Sequence, residues 1–149
     1  MAERYLTHSE AETAGVAASL ARRLAPGTVV LLYGELGAGK TAFVRGFVVG
    51  VGIDPEEVSS PTFTVIQQYG GDGGVSHVAL YRLEPADVED LGLEELADGG
   101  GLVCIEWADR LPRSMAGAVS VRISDQGDDT RELVIEGGPT RSGSWGLPL

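Results

Sequence analysis

A chain of 149 residues with 43% apolar side chains is long enough to fold as one domain around its own core, and its single cysteine, Cys104, excludes an internal disulfide. The formal net charge of -11 repels phosphate backbones, so the surface is not built to grip RNA or DNA directly. No apolar run approaches the roughly 20 residues of a membrane-spanning helix, the polar start MAERYLTHSEAE does not read as a signal peptide, and the lone thiol suits the reducing cytoplasm, so neither membrane nor DNA is expected among the partners.

Arg4 to Thr7 reads as a short strand. Ser9 then opens a helix, because Ser9 and Glu12 have the spacing of a capping box, in which each side chain satisfies a free backbone N–H of the first turn. Ala14, Ala17, Ala18, Ala21 and Leu24 share one face of that helix, which stops before Pro26-Gly27. Thr28 to Tyr33 (TVVLLY) is continuously apolar and rich in β-branched residues, which predicts a strand covered on both faces. A glycine-rich turn, Gly34 to Gly39, leads into a helix over Lys40 to Val49. Phe43, Val44, Phe47 and Val48 fall there at helical spacing, and Gly50-Val51-Gly52 supplies a stop. Further strands are expected at Phe63–Tyr69, Val75–Leu83, Leu102–Trp107, Val119–Ser124 and Glu132–Glu136, with a helix over Asp87–Ala97. The last two strands flank the turn-rich DQGDDT and form a hairpin, and GGPTRSGSWGLPL from Gly137 onward reads as a flexible tail after a single domain spanning residues 1–136.

Gly34, Glu35, Leu36, Gly37, Ala38, Gly39, Lys40 and Thr41 match the pattern G-x-x-x-x-G-K-[ST], and they stand between a buried-type strand and an amphipathic helix. A triphosphate needs many N–H donors converging on a small anion. Glycines let the loop curl so that successive N–H groups point inward, and the following helix adds its free N–H groups and positive end. Lys40, the only lysine in the chain, reaches the β- and γ-phosphates, and Thr41 offers a hydroxyl to Mg²⁺. With this loop the element order predicts an α/β fold of the P-loop NTPase kind: a three-layer sandwich with a mostly parallel central sheet and a C-terminal antiparallel hairpin.

The guanine-reading motif [NT]-K-x-D requires a second lysine and is absent. Arg45, Arg82, Arg110 and Arg113 are too scattered for the arginine-rich lid of a nucleotide kinase, so ATP with Mg²⁺ is the expected ligand. Hydrolysis needs an acid at the end of a buried strand, to hold Mg²⁺ through water or to orient the attacking water. The run Leu102-Val103-Cys104-Ile105 ends in Glu106, which is either that acid, with a catalytic and metal role, or a solvent-facing strand-end carboxylate. Cys104 reads as a core thiol rather than a nucleophile.

GELGAGKT, Ser60-Pro61-Thr62-Phe63-Thr64, His77 with Leu80-Tyr81-Arg82, and Ile105-Glu106-Trp107, in that order, resemble the TsaE family over about Thr7 to Leu111. These are small bacterial ATPases of the threonylcarbamoyl modification of adenosine in tRNA. The resemblance implies slow ATP hydrolysis by the chain alone and action with TsaB and TsaD, the pair that transfers threonylcarbamoyl to adenosine 37. It implies no carbamoyl bond made by this chain and contact with tRNA only through those partners. Carried over by position, Lys40 and Thr41 serve the phosphates and Mg²⁺, Thr62 lies in a switch-like segment that senses the γ-phosphate, and Glu106 is the acid of hydrolysis beside Trp107. The family pattern His-x-Asp-x-Tyr-Arg is broken here: Ala79 stands where an Asp near Mg²⁺ is expected. Either Glu106 or Glu35 holds the metal water instead, or the chain is a nucleotide-dependent binding switch with negligible hydrolysis. His77 reads as structural, and Arg82 as a phosphate sensor or a strand end. A small-molecule kinase is a third reading, which predicts phosphate on an acceptor rather than free in solution.

Overall fold

Val29 to Leu32 of β2 (Val29–Tyr33) are all buried, a pattern a strand takes only when both of its faces are covered. The computed structural model describes residues 3–25, 27–34, 39–58, 66–70, 74–79, 101–106 and 118–137, with the backbone alone at 79. Within them lie β1 (Glu3–Thr7), α1 (Glu10–Arg23), β2, α2 (Lys40–Gly50), a 3₁₀ turn at Pro55–Glu57, β3 (Ile66–Tyr69), β4 (Val75–Ala79), β5 (Leu102–Glu106), β6 (Val119–Gly127) and β7 (Thr130–Gly137). The helix expected over Asp87–Ala97, the ends of the strands expected at 63–65, 80–83 and 107, and the tail 138–149 lie outside the described residues.

The seven strands form one sheet in the order β1-β7-β6-β2-β5-β4-β3. β2 is central and pairs in parallel with β6 and β5, and β5 pairs in parallel with β4. Antiparallel strands close both edges: β3 on β4 at one side, β7 on β6 and β1 on β7 at the other. The parallel part is thus the middle of the sheet, and the expected C-terminal hairpin lies beside it, with β1 rather than the hairpin at the edge. Val30 and Leu32 of β2, Cys104 of β5, Val121 and Ile123 of β6 and Leu133 and Ile135 of β7 share one core with Ala17, Leu20 and Ala21 of α1 and Phe43, Val44, Phe47 and Val48 of α2. The alternate residues Val29, Leu31, Val78, Val103 and Ile105 are buried as well, so the other face of the central strands is also covered. Among the described residues no helix is long and apolar enough to cross a membrane.

Both helices keep the termini their sequences encode. Ser9 is the N-cap of α1 and its Oγ accepts from the Glu12 N–H at 3.1 Å, while the Glu12 carboxylate accepts from the His8 N–H at 2.9 Å. The reciprocal arm of the capping box therefore reaches one residue further back than its usual partner. α2 ends in a Schellman motif: the Ile53 N–H bonds the Val48 carbonyl at 2.9 Å and the Gly52 N–H bonds that of Val49 at 3.0 Å, with Gly52 at φ 84°. The C-terminal hairpin is tighter than DQGDDT suggests. β6 and β7 run on until Gly127 faces Thr130, leaving Asp128 and Asp129 as a two-residue turn. Their φ values of 51° and 64° are those a type I′ turn demands, and a register shift between Asp125 and Gly127 absorbs the extra residue.

Candidate functional site

β2 delivers Gly34 at its carboxyl end, and α2 begins at Lys40 after Gly39, whose φ of 107° is open to glycine and strained for other residues. Gly39 occupies the N-cap of α2 without a capping side chain, and the positive end of the helix faces the loop side. Lys40 is 5% exposed, and its Nζ donates to the Gly34 carbonyl at 2.8 Å, tying the two ends of the loop together. Thr41 follows, half-buried, in the first turn of α2. Glu35, Leu36, Gly37 and Ala38 lie outside the described residues, as do Thr62, Tyr81, Arg82 and Trp107.

Parallel pairing brings the acid to the same edge of the sheet. Glu106, the last residue of β5, sits in register with Leu32, two residues before Gly34. It is 7% exposed, so of the two readings left open by the sequence the solvent-facing one is not what folds. A carboxylate only accepts hydrogen bonds, and its partner is the buried His77 on β4, whose Nε2 donates to Glu106 Oε2. The other ring nitrogen, Nδ1, lies 3.3 Å from Tyr69 Oη on β3, and the Tyr69 hydroxyl donates to Gln67 Oε1. Cys104, in register with His77, is fully buried. Burial pushes its thiol pKa well up and the nearby Glu106 charge adds to the shift, so it stays a protonated core thiol. Ala79 is in register with Glu106, so an acid at position 79 would enter the sheet directly beside it.

One part of this region escaped the sequence reading. A cavity of about 340 Å³ opens beside the loop, lined by His8, Ser9 and Thr13 at the start of α1, Gly39 and Ala42 at the start of α2, and Asp129 and Arg131 of the hairpin. The Arg131 guanidinium is held by Asp125 at 3.0 Å, and Arg131 Nε would lie 3.7 Å from a Cβ placed on Gly39. Three distant stretches of chain meet here, so no local motif could reveal the cavity. The one sequence signal is a basic residue, Arg131, directly after the acidic turn DQGDDT.

The family model of the Threonylcarbamoyl adenosine biosynthesis protein TsaE matches residues 7–133. The chain belongs to the TsaE family. The TsaE match runs from the residue before His8 to the middle of β7, and so takes in the loop, Glu106 and Arg131 alike. Among proteins named tRNA threonylcarbamoyladenosine biosynthesis protein TsaE, that of Bacillus subtilis (strain 168) is 40% identical over 138 residues, 89% of this chain and 84% of that protein. The TsaE of Treponema pallidum (strain Nichols) is 37% identical over 134 residues, 89% of this chain and 98% of that one. The crystal structure of Bacillus subtilis YdiB matches with a TM-score of 0.72 and 32% identity, over 95% of this chain and 88% of that one.

Proposed function

We propose that this TsaE-family chain binds Mg-ATP at Gly34–Thr41 and hydrolyses it slowly, in the cytoplasm, in support of tRNA threonylcarbamoyladenosine biosynthesis together with TsaB and TsaD. The observation that carries the reading is the shared edge of the sheet. β2 feeds the loop that holds the buried Lys40 ammonium, and its parallel neighbour β5 ends in the buried Glu106 carboxylate. A cation at the phosphates and an acid across from it are the two charges that phosphoryl transfer to water requires. The relatives' names supply the pathway.

The residues suit Mg-ATP. The Lys40 ammonium, which donates to the Gly34 carbonyl, makes stronger bonds to the charged oxygens of a phosphate. The positive end of α2 favours an anion, and the 340 Å³ cavity beside Gly39 lies within the size range of ligand pockets, with Arg131 at its wall. Lys40 binds the β- and γ-phosphates, and Thr41 and Glu106 hold the metal, Glu106 through water. Glu106 also orients the attacking water, and Thr62 senses the γ-phosphate. Magnesium, when bound, neutralises charge developing on the phosphate oxygens. A surface of net charge -11 leaves contact with tRNA to the partners.

A second reading, a nucleotide-dependent binding switch with negligible hydrolysis, is favoured by the register of Ala79 with Glu106, because the family's usual acid is missing at that place. Free phosphate released from ATP, with and without TsaB and TsaD, separates the two. Release that rises with the partners supports the ATPase. No release, while a complex still forms in ATP, leaves the switch. No nucleotide binding at all sinks both.

A further inference from the structure

We propose that His77 is a positioning residue that fixes the Glu106 carboxylate for its work at the bound nucleotide, with the Tyr69 ring packed against the imidazole. The assignment rests on the role given to Glu106 above. A glutamate at the end of a strand has three rotatable side-chain bonds and turns freely unless something holds it. Here the holder comes from the next strand. His77 is 1% exposed, on the same face of the sheet as Cys104, and donates from Nε2 to Glu106 Oε2. That bond takes one carboxylate oxygen and leaves Oε1 for a water or a metal.

A histidine that merely filled the core would need only some acceptor for its N–H. This one is aimed at Glu106 at the loop edge, and its far nitrogen lies 3.3 Å from Tyr69 Oη, whose proton goes to Gln67 Oε1. These contacts span three adjacent strands: Tyr69 is on β3, His77 on β4, and Glu106 on β5 two residues beyond Cys104, the register partner of His77. A side chain that hydrogen-bonds a metal-holding group in this way orients the group that touches the metal or its water. The residues in register with Glu106 are Leu32 on β2 and Ala79 on β4, and neither residue type brings a polar side chain to share the task.

The test compares His77→Gln, which keeps an N–H at similar reach, with His77→Leu, which fills the space without a donor, and runs Glu106→Gln beside them. Two readouts are taken on each folded variant: the affinity of Mn²⁺, standing in for Mg²⁺, for the ADP-loaded protein by electron paramagnetic resonance, and kcat and KM for phosphate release. His77→Leu is expected to lower Mn²⁺ affinity and kcat by roughly 10- to 100-fold with KM for ATP little changed, and His77→Gln to recover most of that loss. Unchanged values in His77→Leu, or a His77→Gln as poor as His77→Leu, would overturn the proposal. If Glu106→Gln also leaves both readouts unchanged, the role of Glu106 fails and the positioning role falls with it. If Glu106→Gln lowers them and His77→Leu does not, the positioning role alone is lost. Should His77→Leu not fold, ¹⁵N-histidine spectra of the unaltered protein decide. The His77 Nε2–H resonance is expected to shift when Mg-ADP binds, and a resonance that stays in place refutes the coupling.

Discussion

The contact between α1 and α2 predicts opposite outcomes for one substitution at two helical glycines. At Gly46 a Cβ would run into the carbonyl oxygen and Cα of Ala14, and both are backbone atoms that a rotamer change cannot move aside. At Gly15, exposed on α1, a Cβ meets nothing within 4 Å. Gly→Ala in a helix interior gains about 0.5–1 kcal/mol in backbone entropy and propensity at either site. At Gly15 that gain stands alone, and the melting temperature should rise by roughly 2–4 °C. At Gly46 it is opposed by overpacking, which costs about 1–3 kcal/mol; a backbone-on-backbone clash belongs at the upper end, leaving a net loss of about 2 kcal/mol. Urea unfolding of the two variants beside the parent protein measures both, and the midpoints should separate in opposite directions at unchanged slope. If Gly46→Ala stabilises as Gly15→Ala does, the helices are not in the close contact described, and the placement of α2, with the loop it opens, has to be rebuilt.

Lys40→Ala should lose the thermal protection that Mg-ATP gives the parent protein, about 2.7 kcal/mol at a hundred times the dissociation constant; equal protection of both would sink the account of the loop. Ala79→Asp should raise phosphate release, by up to about a hundredfold if the added carboxylate contributes a few kcal/mol in the transition state, and turnover equal to or below the parent's, with Mg-ATP affinity intact, counts against it. Cys104 gives a pH dependence. Its thiol stays protonated in the folded chain while the unfolded one ionises above about pH 8.5, so the unfolded state binds fewer protons there and stability falls as pH rises. This component should approach about 1.4 kcal/mol per pH unit, and Cys104→Ala should flatten that limb of a denaturation series; parallel limbs would refute it.

Local chemistry was legible in the sequence where it is written in adjacent residues. TVVLLY forms the fully buried β2, because a run without alternation only pays off in the middle of a sheet, and Phe43, Val44, Phe47 and Val48 are the buried face of α2. Ser9 and Gly52 terminate their helices as their side-chain chemistry requires. The hairpin was found but drawn too loose, because Asp128 and Asp129 adopt positive φ in place of the more usual glycine. The cavity beside Gly39 was missed altogether, since His8, Ala42 and Arg131 are brought together by the α1–α2 contact and by β7, and no spacing along the chain encodes that meeting.

Glu106 shows what strand pairing adds to a motif. From its run of apolar neighbours it could equally have faced solvent, and nothing in those residues decides between the two. The decision comes from β2, which holds β5 on one side, and from β4, which lays His77 against the carboxylate from the other. A buried acid next to a buried imidazole is stable without an ion or a nucleotide, because each satisfies the other's polar atom. An acid at position 79 would put a second carboxylate on the neighbouring strand, about 5 Å away between chains, where like charges repel unless a cation lies between them. With alanine at 79 the sheet edge carries Glu106 without that second charge. The absence of that carboxylate leaves Glu106 and His77 paired at the sheet edge without a like charge beside them.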